Sequence, residues 1–123
     1  DSAELPKIGG DAINGCFYAN HYSHEDPSPR VQEFIEKYKT EYGAVPDGLA
    51  ALGYDAARIF ADAARRAKSL AGKDLAAALA ETKDFEGVTG KISLDKDRNA
   101  VKSAVMLEIV DGKPKFVATI SPE

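Results

Sequence analysis

The strongest constraint on this chain is a change in the spacing of its apolar residues. From residue 28 to about residue 80 they recur every three or four positions, and from residue 103 they recur every second position. The first spacing lays a stripe along a helix, and the second lays one face on a strand. A single strand-like run, "GCFYANHY" at 15–22, precedes the helical part. The implied order is strand, three helices, short strand, hairpin, which is a mixed α/β chain.

The helical boundaries follow from local chemistry. Ser28 stands where an N-cap would, and Pro29 suits a first turn. Val31, Phe34, Ile35, Tyr38 and Tyr42 then share a stripe; Gly43 ends the helix and Pro46 prevents its resumption. A second helix is expected from the cap Asp47 to about Ser69, burying Leu49, Leu52, Ala56, Ile59, Phe60, Ala63 and Ala67. Asp62 and Arg66 make a favourable i,i+4 pair on it. A third, shorter helix starts near Asp74 and buries Leu75, Ala78 and Leu79. Beyond it, "SAVMLEIV" places Val105, Leu107 and Ile109 on one face. Asp111-Gly112 is a two-residue hairpin signal, and Pro114 belongs at a strand start or edge. "MLEIV" is apolar on both faces except at Glu108, as in a strand covered from two sides. Three helices cover one sheet face well and two faces poorly, so partner strands outside this chain are expected, as part of something larger.

Composition bounds the function. The chain has 123 residues, about one domain, and its net charge of -4 argues against nucleic acid, whose binders carry basic patches. No apolar run approaches the roughly 18 residues of a membrane span, and no signal peptide is visible in the chain. One cysteine, Cys16, excludes an intrachain disulfide and a multi-cysteine metal site; its apolar neighbours predict burial.

Two motifs in "DFEGVTGKISLDKDRN" (84–99) imitate ligand sites. A phosphate loop needs Gly four residues before its Gly-Lys pair and Ser or Thr after it; Phe85 and Ile92 stand there. A calcium loop beginning at Asp95 needs Gly at its sixth position and Glu at its twelfth; Ala100 and Met106 stand there. The stretch reads instead as a tight turn between Gly87 and Gly90, a strand with Ile92 and Leu94 on one face, and a solvated turn. "HYSHED" carries both histidines and two acids, but His21 and His24 suit a metal only on a helix, which Pro27 and Pro29 oppose. Arg65, Arg66 and Lys68 at a helix end are explained by the macrodipole. "GGD" at 9–11 lacks the third Gly of a dinucleotide fingerprint. No nucleophile–base set or carboxylate pair is placed by spacing, which favours a binding role over an enzyme, with no metal and no cofactor.

The segments "HYSHEDPSPRVQEF", "PDGLAALGYDA" and "FEGVTGKISLDKDRNAVK" resemble the C-terminal part of periplasmic solute-binding proteins of the branched-chain amino acid transporter family, and the resemblance covers nearly the whole chain. It implies a portion of a type I periplasmic-binding-protein fold: two Rossmann-like lobes with parallel sheets, joined by hinge crossovers, that close on a ligand. Residues 1–22 would be the end of the second lobe and a crossover, 23–103 the C-terminal helices and strand of the first lobe, and 104–123 the closing hairpin back to the second lobe. The implied function is capture of a branched-chain or other aliphatic amino acid for an ABC transporter permease, in the periplasm or on an extracellular lipoprotein. A zwitterion in a closed cleft needs partners for both charges. The resemblance puts those groups upstream of residue 1, in a missing N-terminal portion. Of this chain's residues, Leu49 matches a position facing the ligand side chain, with helix core as its rival reading; Tyr22 lines the cleft or supports the hinge; His21 is a weaker candidate. A ligand sensor of the same fold and an enzyme using the "HYSHED" loop stand as alternatives.

Overall fold

The computed structural model describes residues 4–122. Helix α1 (Glu4–Gly9) and a 3-10 turn (Gly10–Ile13) lead into β1 (Phe17–Asn20). Three helices follow, α2 (Pro29–Tyr42), α3 (Gly48–Arg66) and α4 (Gly72–Ala80). The chain ends in β2 (Phe85–Gly87), β3 (Gly90–Leu94), β4 (Ala100–Val101), β5 (Ala104–Val110) and β6 (Lys113–Ile120). Of the N-terminal stretch read as short helix or loop, residues 1–3 lie outside the described residues.

The strands form two sheets, β1-β5-β6 and β2-β3-β4, and every pairing among the described residues is antiparallel. The fold is therefore mixed α/β, as expected, and the parallel strands implied for whole lobes are not formed within these residues. The separation of β1 from the other strands resolves simply: Tyr18 stands opposite Leu107, and Asn20 opposite Val105. Asp111 and Gly112 take positive φ of 49° and 69°, as the two-residue hairpin requires. Val105, Leu107 and Ile109 are buried, while Met106 and Glu108 on the other face are only half-covered.

The helices form where their caps predict. The Asp47 carboxylate accepts the Ala50 N–H at 2.8 Å and starts α3. Gly43, at φ 69°, ends α2 in the left-handed conformation that a side chain resists. Ser28 precedes α2 but makes no side-chain cap; its own N–H is taken by Asp26 Oδ1 at 2.8 Å. Tyr22, Val31, Phe34, Ile35, Ala51 and Val88 make the core of this body, with Tyr22 set edge-on to Phe34 at 6.3 Å.

The buried stripe of α3 differs from the expected one. Gly48, Ala51, Asp55, Ile59 and Ala63 face the core, whereas Leu49 is 70% exposed and Phe60 51% exposed. Leu52, Ala56 and Phe60 instead line an apolar groove of about 350 Å³ with Ile92 and Leu94. The helix thus has two adjacent apolar faces, and only one is packed. It ends at Arg66, whose guanidinium bonds Asp62 Oδ2 (2.8 Å) and the Ala78 carbonyl (2.9 Å), tying α3 to the end of α4. Cys16, expected inside, is exposed.

Asp55 joins α3 to the β2–β3 hairpin. Its two oxygens accept the Val88 and Thr89 N–H groups, each at 2.8 Å. Those residues are the two-residue loop between Gly87 and Gly90. A Cβ on Gly87 would lie 2.6 Å from Asp55 Oδ2, so this approach requires glycine. Asp55→Ala leaves two buried donors unpaired and is expected to cost about 3 kcal/mol in urea unfolding. Gly87→Ala also destabilises, but less in the Asp55→Ala background, because the clashing oxygens are gone. Equal cost in both backgrounds would contradict this close approach.

Candidate functional site

The end of β1, the tip of the β2–β3 hairpin, the β4–β5 link and the end of β6 meet at one place. They enclose a small cavity of about 90 Å³ bordered by His21, Tyr22, Asp26, Thr89, Ser103 and Thr119. Several of the polar groups around it are satisfied locally. The His21 N–H donates to Asn20 Oδ1 at 2.6 Å, and Ser23 Oγ accepts the Glu25 N–H at 3.1 Å. Lys102 Nζ stands 3.4 Å from the Thr89 and Ser103 carbonyls. Thr89 Oγ1 is buried and has no hydrogen-bond partner among the described residues.

The three candidate residues are placed differently. Tyr22 is 5% exposed and its hydroxyl donates to the Pro46 carbonyl. Burial first, and then the charge of Asp47, push its pKa up to about 12. His21 is exposed at the cavity rim; partial burial and then the Lys102 cation lower its pKa. Leu49 lies on the first turn of α3, three residues after Pro46, and is not among the residues bordering the cavity. It is not packed in the core of the described residues. Tyr22 and His21 are thus brought together, while Leu49 projects from an adjoining element.

The phosphate and calcium motifs have structural uses. The "GVTG" amides are turned to the Asp55 carboxylate, not outward. Asp95 Oδ1 accepts the N–H groups of Asp97 (2.9 Å) and Asn99 (2.8 Å), which folds the turn with Arg98 at φ 69°. No three His, Cys, Asp or Glu among the described residues gather to hold a metal ion. Sequence reading missed Asp55 and Thr89. Asp55 lies on the buried face of α3, where a charge is unexpected until its two donors are seen. Thr89 was visible only as part of a turn.

The larger cavities lie away from this junction. One of about 480 Å³ between α2 and α3 is lined by Arg30, Glu33, Lys37 and Arg58. Another is the apolar groove beside α3.

Two separate three-stranded sheets linked by short backbone passages, with helices packed beside one of them, define a mixed α/β protein. A family model described as periplasmic binding protein matches residues 1–114, and the chain belongs to that family. Among solved structures it is similar to a leucine-binding protein, LivK, from Thermotoga maritima, at 38% identity and a TM-score of 0.88, over 99% of this chain and 35% of that one. It is also similar to LivJ of Streptococcus pneumoniae, a branched-chain amino acid transporter substrate-binding protein in complex with isoleucine (36%, TM-score 0.75, 86% of this chain and 30% of that one). A solute-binding protein of an ABC transporter from Rhodopseudomonas palustris BisB5, in complex with 3,4-dihydroxybenzoic acid, matches at 32% identity and TM-score 0.75, over 91% of this chain and 32% of that one. No curated protein sequence matches. The chain spans about a third of the length of these solved relatives.

The raised pKa of Tyr22 has a thermodynamic consequence. The folded state holds this proton to a pH of about 12, while an unfolded tyrosine releases it near 10. The contribution is complete below pH ~10 and is lost as pH rises toward ~12. Tyr22→Phe is expected to cost about 1 kcal/mol at neutral pH through loss of the Pro46 bond, and to flatten this alkaline loss. Unfolding measured across that range in both proteins checks it.

Proposed function

We propose that this chain is the C-terminal portion of a solute-binding protein that captures a branched-chain or other aliphatic amino acid and presents it to an ABC permease outside the cytoplasmic membrane. The observation that carries the reading is the similarity over nearly the whole chain to LivK and LivJ, both at higher identity than the dihydroxybenzoate-binding relative. No helix among the described residues is long and apolar enough to cross a membrane.

In this reading, residues 1–22 and 104–123 belong to the second lobe and its crossovers, and 23–103 to the first lobe. The exposure of Leu49 beside the junction suits a side chain that meets an aliphatic ligand. The burial of Tyr22 suits support of the crossover more than a wall of the ligand pocket. The rim position of His21 suits contact with the polar end of the ligand. In the same reading, the groups for the ligand carboxylate and ammonium lie in an N-terminal portion. Matches to solute-binding proteins support a non-enzymatic role.

A thermal-shift panel of amino acids on the full-length protein tests the proposal. Leucine, isoleucine or valine at about 100 times its dissociation constant is expected to add about 2.7 kcal/mol. No shift with any amino acid overturns the ligand class. Leu49→Ala is expected to weaken that binding about tenfold, a loss of ~1.4 kcal/mol of apolar contact, with stability of the free protein nearly unchanged. Unaltered affinity in that variant removes Leu49 from the pocket.

A further inference from the structure

The two sheet bodies share no strand: β1-β5-β6 on one side, and β2-β3-β4 with α2, α3 and α4 on the other. The backbone passes between them at residues 21–28 and again at Lys102 and Ser103. The two passages lie side by side, since His21 and Ser103 border the same small cavity. Adjacent passages of this kind leave one easy motion, a rotation about the line that they define.

The first passage is seated on the helical body. Tyr22 is buried there, and Gln32 of α2 donates from Nε2 to the carbonyls of His24 (3.3 Å) and Asp26 (2.6 Å). From this anchored loop Glu25 reaches back to the other body. Its Oε1 accepts Lys115 Nζ at 2.8 Å, and its Oε2 accepts the Phe116 N–H at 3.1 Å. Phe116 is available because β6 is the outer strand of its sheet, with a bulge that shifts the register beside Leu107. Both contacts hold the Glu25 carboxyl below the usual carboxylate range.

The contact lies off the axis. β5 leaves the second passage at Ala104, opposite Ile120, and Lys115 stands opposite Glu108, four residues further along. At ~3.3 Å per residue that is an arm of roughly 13 Å, on which a rotation of about 10° moves the contact by about 2 Å. Both hydrogen bonds would break.

We infer that Glu25 is a latch across the hinge, whose paired bonds to Lys115 and the Phe116 N–H hold the two bodies at one angle and so set the affinity for the ligand. The inference rests on the two-lobe reading above. Apparent affinity follows the population of the binding-competent arrangement, so a residue that never touches the ligand changes it.

The test uses the full-length protein without ligand, with spin labels on the exposed native Cys16 and on Lys39→Cys in α2, any further cysteine being replaced. The distance distribution is expected to be narrow in the otherwise unaltered protein and broadened or shifted by Lys115→Glu or Glu25→Ala. The charge swap Glu25→Lys with Lys115→Glu restores the ion pair but not the Phe116 bond, and is expected to recover it in part, which a merely structural loss would not do. Apparent ligand affinity changes by about threefold in the single variants and returns in part in the swap. Distances unchanged in both single variants, or changed with no recovery at all in the swap, overturn the latch. A protein that binds no amino acid overturns the proposed ligand instead, and the ligand-free distances still decide the latch.

Discussion

The helical body is registered by one carboxylate. Asp55 is 2% exposed, and burial of a charge there is tolerated because two N–H groups converge on it. Those amides belong to consecutive residues of a two-residue loop, so the whole β2–β3 hairpin is held end-on against α3. The hairpin in turn carries Thr89 and Gly90 to the junction with the other sheet. Lys102, half-buried beside them, has its pKa lowered by burial while the Asp55 charge opposes that shift. A helix, a hairpin and a passage between bodies thus depend on a single side chain.

Much of the architecture was legible from local chemistry. Asp47, Gly43 and the Pro29 start mark two helices because caps act within a turn of the chain. Asp111-Gly112 marks the closing hairpin because few residues adopt its backbone. What failed depended on contacts distant in sequence. The apolar pattern of α3 mixed two faces about 100° apart, one packed on the core and one left as a groove, and spacing does not say which is covered. Asp55 broke the polarity rule for reasons that lie some thirty residues away in the "GVTG" loop. Cys16 sat in an apolar run, yet it lies just before β1 in a stretch that is exposed from Gly15 to Phe17.

The candidate site was less legible than the fold, and the reason is geometric. The polar side chains at the junction come from four separate stretches, each unremarkable alone. Only the resemblance of "PDGLAALGYDA" and "HYSHEDPSPRVQEF" to solute-binding proteins singled out Leu49, Tyr22 and His21. The structure then separates these three by exposure and hydrogen bonding: one seated in the core, one at a rim and one projecting free. The same phosphate-like and calcium-like motifs that invite a ligand are consumed by their own backbone.

The outer edge of β6 has a consequence for colloidal behaviour. An exposed strand edge offers unpaired amides to any passing extended chain, and so invites aggregation. Here the edge begins Lys113, Pro114, Lys115, with a proline that has no N–H to offer and flanking cations that repel a second copy of the same strand. The next amide, on Phe116, is already engaged by Glu25, and a bulge interrupts the regular ladder beyond it. The first half of this edge is therefore a poor template for intermolecular sheet growth.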